Sequence, residues 1–227
     1  MFSPTVAHDW HFPRSSTGIG VLLAWARSEG IDATPLLVGT GLGVEDLDGP
    51  DRDGGEVTAD QELTVVRALL RRRPDDPPAR LGSAIGASYH LGSFGVFGFA
   101  MLASPTLLHA VELATRYIDL SFTFAIPRAE LEGDAGGGTV RVHVDGTTLP
   151  PDVRPLLVAR DARAIATALR ELLPDLPLEL RLEPVAGPRH AVVSFPAAHL
   201  ARPLPQGNPQ TLAACEQLCA ELVERRR

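Results

Sequence analysis

Residues 91–126, LGSFGVFGFAMLASPTLLHAVELATRYIDLSFTFAI, contain the change of period on which the fold turns. Leu107, Leu108, Val111, Ala114 and Ile118 recur at three- and four-residue spacing, so this part reads as an amphipathic helix. Ser104-Pro105 offers it a capping hydroxyl followed by proline at the first helical position. From Leu120 the spacing becomes alternate, and Phe122, Phe124 and Ile126 fall on one side of an extended chain. A second alternating run, Val140, Val142 and Val144, follows the GDAGGG turn at 133–138. Together they predict an antiparallel hairpin.

On the N-terminal side the periods are helical. A first helix starts near residues 15–17, runs through Val21, Leu22 and Trp25, and stops at Gly30. A short second helix follows Asp32 and buries Leu36 and Leu37. Residues 48–56, DGPDRDGGE, read as an exposed loop. Thr58 begins a helix carrying Leu63, Val66, Leu69 and Leu70, with Arg71 to Arg73 at the negative end of its dipole and Pro74 as its stop. Residues 79–89 read as helical, and HLGSFGVFGFAML at 90–102 as close-packed apolar backbone in helix or turn. On the C-terminal side, Pro150 and Pro151 open a long helix to about Leu173, and residues 178–183 and 191–195 supply two short strands. Helices, hairpin, helix and strands in that order predict an α+β fold, with an N-terminal helical layer packed on a small, mostly antiparallel sheet and a long helix between strand pairs. Residues 1–14 read as an irregular arm, 15–205 as one domain, and 206–227 as an amphipathic helix leading out of it.

Composition narrows the chemistry. The 227 residues are 44% hydrophobic and 22% charged, which is globular, and 20 Pro with 21 Gly punctuate many short connections. A net charge of −7 argues against a phosphate-binding face on this chain. Every basic residue other than histidine is arginine, so a Walker loop, a pyridoxal Schiff base and a Ser/Lys hydrolase are excluded for want of an amine. No Ser, Cys or Thr stands in a nucleophile elbow. GTGLG at 39–43 follows a helix rather than a strand, which makes it a turn and not a dinucleotide fingerprint. Among the seven histidines, His8 with His11 and His109 with Glu112 fall short of a closed zinc set. His90 and His109 lack a haem-binding motif. The paired acids Asp51 with Asp53 and Asp75 with Asp76 lie in turns. We therefore expect no enzyme activity, no metal and no cofactor. No apolar run approaches the roughly 18 residues of a bilayer span, no signal-peptide core opens the chain, and Cys215 and Cys219 lie four apart on one helix, so a reducing, cytoplasmic setting without a membrane partner is expected.

What remains points to binding. Tyr89, Phe94, Phe97, Phe99, Tyr117, Phe122 and Phe124 crowd one region of a chain only 5% aromatic. With His90 and Met101 they read as walls of an apolar pocket or as ordinary core. Arg160 falls on the helical stripe of Val153, Leu157, Ala164 and Ala168, which leaves it either paired with Asp161 or Glu112 or available to a ligand carboxylate. The C-terminal stripe Leu212, Cys215, Cys219 and Leu222 is a candidate dimerisation face.

Three stretches carry a family resemblance: LLVGTGLGVEDL (36–47) with ADQELTVVRALLRR (59–72), then residues 91–120, and finally HLARPLPQGNPQTLAACEQLCAELVERRR (199–227). Together they resemble the N-terminal, arabinose-binding-like regulatory domain of AraC/XylS-type transcription activators. The glycine-rich block, SPTL and a helix ending RY are the most specific elements. The resemblance implies effector binding and homodimerisation, with pocket walls around the glycine-aromatic block and Arg160. It also implies that two helix-turn-helix units beyond Arg227 would hold DNA, and that the effector is a small metabolite, such as a fatty acid or another amphipathic carboxylate. A ligand-independent dimerisation module is the alternative. In one respect the chain departs from the family it resembles, because the stretch EPVAGPRHAVVSF (183–195), between the LRLE strand and the PLP motif, is short.

Overall fold

The structure, a computed structural model, describes residues 13–48, 55–134, 136–184 and 187–226. His8, His11, Asp51, Asp53 and most of the expected arm lie outside the described residues. Arg14, at the end of that arm, forms a two-residue strand β1 (Arg14–Ser15), which pairs antiparallel with β2 (Glu56–Val57). Between them come α1 (Thr17–Ser28), a 3-10 turn (Thr34–Leu36) and the single turn α2 (Glu45–Asp48). Gly30, at φ 74°, ends α1 as its position suggests. Helix α3 (Ala59–Arg72) opens on a capping box. The Thr58 hydroxyl accepts from the Gln61 amide at 3.2 Å, and the Gln61 side chain accepts from the Thr58 amide at 2.8 Å.

The glycine-rich block divides in two, a 3-10 turn (Leu91–Phe94) and helix α5 (Gly95–Leu102), after α4 (Pro78–Gly86). Helix α6 (Leu107–Arg116) follows, but its cap is Thr106, whose hydroxyl accepts from the His109 amide, and not Ser104. Ser104 is fully buried and donates instead to the Ala100 carbonyl at 3.0 Å, which draws it out of capping position. A further 3-10 turn (Ile118–Leu120) leads to β3 (Pro127–Glu132) and β4 (Thr139–Asp145). The hairpin is therefore present, but its first strand starts at Pro127. Residues 122–126, expected as strand from their alternation, are not paired in the sheet, because side chains of other elements take their backbone groups. Helix α7 (Arg154–Leu172) then precedes β5 (Glu179–Glu183) and β6 (His190–Pro196), and α8 (Pro209–Arg226) ends the described chain.

The sheet runs β3-β4-β6-β5 and is antiparallel throughout. Val140, Val142, Val144, Ala191, Val193 and Phe195 are buried on its inner face, against which α7 packs. On its other side α7 meets α4, and two glycines make that approach possible. A Cβ on Gly82 would lie 2.0 Å from the Leu156 carbonyl oxygen, and one on Gly86 would lie 2.4 Å from that of Arg160. The α+β class is as expected: helical layer, long helix, antiparallel sheet.

Helix α8 alters one expectation. Asn208 caps it by accepting from the Thr211 amide at 2.9 Å, and it lies against α5 and the 118–120 turn. Tyr117 donates its hydroxyl to the Glu216 carbonyl, and Arg116 pairs with the Glu216 carboxylate at 3.2 Å. Cys219 is fully buried within the chain and Leu212, Cys215 and Leu222 are half-buried against its core, so the stripe read as a dimerisation face is covered in part by the chain's own residues.

Two outcomes follow. Gly86→Ala should lower stability by roughly 2 kcal/mol in urea unfolding, since overpacking strains backbone against backbone; Gly92→Ala, with open space around its Cβ, should match the parent. Burial pushes the Cys219 thiol up to about 12, with Cys215 and Glu216 adding to the effect. In a Cys215→Ala background Cys219 should react with a thiol reagent at least about tenfold more slowly than in unfolded chain; equal rates would show that α8 is not docked.

Candidate functional site

Beneath α5 and α6 lies a group of buried charges. Glu62 on α3 is fully buried, and Arg160, Asp161 and Arg14 are 1%, 4% and 3% exposed. Glu62 accepts from Arg14 Nε at 2.8 Å through one carboxylate oxygen and from Arg160 Nη1 at 2.7 Å through the other. Arg160 Nε donates to Asp161 at 2.8 Å. Two guanidinium and two carboxylate groups cancel, which is the condition under which charges survive in a core.

This quartet fastens residues 122–125. Arg14 and Arg160 both donate to the Phe122 carbonyl, at 2.5 and 2.8 Å, and Arg14 also to that of Thr123. Asp161 Oδ2 accepts from the Phe124 and Ala125 amides at 2.8 and 2.9 Å. The Phe124 ring sits between the two guanidinium groups, 3.9 Å from Arg14 and 5.3 Å from Arg160. Burial by itself would raise the Glu62 carboxyl, but the guanidinium groups of Arg14 and Arg160 outweigh it and hold the group below its ordinary value. Tyr89 donates to the Gly18 carbonyl at 3.2 Å, and burial drives its hydroxyl above the usual phenol range.

Above the quartet is an apolar cavity of about 150 Å³ between α5, α6, α7 and the inner face of the sheet. Tyr89, Phe94, Phe97, Met101, Phe122 and Arg160, singled out from the sequence, all line it. Phe94 stacks on Phe122 at 4.9 Å between centroids and meets Phe97 edge-on. Helices α6 and α7 add small residues, Ala110, Ala114, Ala164 and Ala168, beside the larger Val111, Ile165, Leu169 and Leu172. Phe94, Phe97 and Phe122 also border a wider cleft on their far side, with α1 and α8 as its other walls.

Four expected wall residues are elsewhere. His90 is exposed and pairs with Glu171, because the chain turns outward before Leu91. Phe99 is 53% exposed on the outer side of α5. Tyr117 faces α8, and Phe124 lies among the guanidinium groups. Arg160 is paired with Asp161 as one reading had it, but with Glu62 in place of Glu112, so it is not available to a ligand carboxylate. Sequence reading missed Glu62 and Arg14. Glu62 lies on the same stripe as Val66 and Leu69, a carboxylate where an apolar residue belongs, and that was a readable sign. Arg14 stands in a stretch without period and gave none. Among the described residues no three His, Cys, Asp or Glu gather to hold a metal ion, and no single helix is long and apolar enough to cross a membrane.

Residues 30–194 match the arabinose-binding domain of AraC transcription regulators, N-terminal. The chain belongs to this family. Two uncharacterized HTH-type transcriptional regulators, one from Mycobacterium bovis and one from Mycobacterium tuberculosis, are each 34% identical to it over 229 residues. Those matches cover 90% of this chain, and the chain spans only 64% of the length of these curated relatives. The fold resembles that of the transcriptional regulator CdpR from Pseudomonas aeruginosa, with a TM-score of 0.59 at 19% identity, covering 98% of this chain and 67% of that one. The chain thus carries the N-terminal domain of AraC-type transcription regulators.

The quartet makes a testable demand. A carboxyl held low in the folded state contributes stability above its unfolded value, about 4.3, and loses it as pH falls through the folded value. Glu62→Gln should cost about 3–5 kcal/mol near neutral pH by removing the carboxylate that both guanidinium groups share in the core. Urea unfolding at pH 7 and at pH 3.5 should show the parent losing more stability on acidification than the variant.

Proposed function

We propose that this chain is the effector-sensing part of a transcription regulator, with the cavity under α5 as the effector site. One observation carries the reading: Phe97 and Met101, on the cavity wall, belong to the helix against which α8 packs. A molecule in the cavity therefore touches the element that holds the last helix of the domain. In this reading DNA is held by a part of the regulator that this acidic chain does not contain, the working unit is a homodimer in the cytoplasm, and the domain catalyses no reaction. The alternative, a dimerisation module without a ligand, is the weaker one because the stripe it would use is turned inward at Cys219.

A ligand moves an equilibrium only by binding one arrangement better than the other. A metabolite panel screened by thermal shift should therefore yield compounds that raise Tm. At 100 times Kd the gain is about 2.7 kcal/mol, or roughly 5–10 °C for a chain of this size. Ala164→Phe, which fills the cavity, should abolish the response while keeping the parent's circular dichroism. Hits that survive this substitution would place the effector elsewhere.

A further inference from the structure

The chemistry of the cavity wall restricts what it holds, an inference that rests on the effector-site reading above. Its two charged side chains, Arg160 and Asp161, are committed to protein groups. Arg160 gives Nε to Asp161, Nη1 to Glu62 and Nη2 to the Phe122 carbonyl, all at 2.7–2.8 Å. Asp161 takes that guanidinium on one oxygen and the Phe124 and Ala125 amides on the other. The Thr115 hydroxyl donates to the Val111 carbonyl at 2.8 Å, and that of Thr123 is shared between the Ala125 carbonyl and Asp161. An anion entering this space meets no uncommitted positive charge, and drawing Arg160 toward it would strand Glu62 or Asp161 in the core.

Size and shape add to this. A dry cavity near 150 Å³ with apolar walls has room for one benzene-sized molecule. Here the rings of Phe94, Phe97 and Phe122 share the lining with alanines and larger aliphatic residues of α6 and α7, so aromatic faces and aliphatic groups are both within reach of a guest. Aromatic pairs favour offset or edge-on contact, both open to a planar guest beside those rings.

We propose that the cavity takes a neutral, planar apolar molecule built on a single ring, and discriminates against the corresponding carboxylates. The saturated Arg160–Asp161 floor acts as a charge filter rather than as an anion hook.

Isothermal titration of the full chain with two matched pairs tests this: toluene against benzoate, and ethylbenzene against phenylacetate, at pH 7.5. The neutral member of each pair should bind at least about 100-fold more tightly, corresponding to a few kcal/mol for burying an unpaired charge. Ala164→Phe should remove that binding, with Ala168→Leu as a milder filling substitution if the first does not fold. Carboxylates that bind as tightly as their neutral partners, and lose binding on filling, would overturn the charge filter while leaving the effector site standing. No binding by either class, with the filled variants as stable as the parent or more so, would overturn both.

Discussion

Arg160 is fully inside the protein, and its guanidinium reaches two carboxylates and a backbone carbonyl at once. The constraint that follows shapes the surroundings: a buried cation holds only if its partners come from elements that can be brought to it. Glu62 arrives on α3, Asp161 follows in α7, and Arg14 balances the second carboxylate from β1. The segment 122–125 then closes over them, its amides on Asp161 and its Phe122 carbonyl on both arginines. Removal of any one member unbalances the charge of the group in the core, which costs more than the loss of an ordinary contact. Strand β1, α3, α7 and the cavity floor are therefore one cooperative unit.

The height of Arg160 within that unit is set from outside the quartet. Gly86 rests on its carbonyl at a distance no side chain tolerates, so α4 and α7 approach along bare backbone. The same device recurs where α5 leaves the 3-10 turn: a Cβ on Gly98 would lie 1.8 Å from the Leu91 carbonyl oxygen. These glycines do different work from Gly30, whose positive φ ends a helix. They shorten distances between elements, and the cavity is the space left between elements so placed.

Much of this was legible in the sequence. Periods of 3.6 and 2 located the helices and the hairpin, since each reports the burial of one face. The aromatic cluster at 89–122 led to five residues that share the cavity, Tyr89, Phe94, Phe97, Met101 and Phe122. What could not be read was long-range pairing. Phe122 and Phe124 alternate as strand residues do, yet side chains 37 and 108 positions away occupy their backbone groups, and local spacing carries no trace of that. Arg14 belongs to the same class of contact. Cys219 and its neighbours showed an apolar stripe correctly, but amphipathicity gives a face without saying whether its cover is the same chain or another.

The two sides of the cavity differ in how much they can yield. Its floor is tied by charge-assisted hydrogen bonds from four elements, so movement there exposes an unpaired ion. Its roof, α5 with the turn at Leu91–Phe94, is anchored at its start by the Leu91 amide donating to the Glu171 carboxylate at 2.7 Å, and beyond that point by apolar contacts among Phe94, Phe97 and Phe122 and by glycine-backbone packing, which rearrange at lower cost. On the proposed reading, strain from an occupied cavity is therefore taken up by the roof. Since α8 rests on the outer side of α5, displacement of the roof reaches the last helix without crossing the charged floor. In that reading the saturated floor is the fixed reference against which α5 and α8 shift.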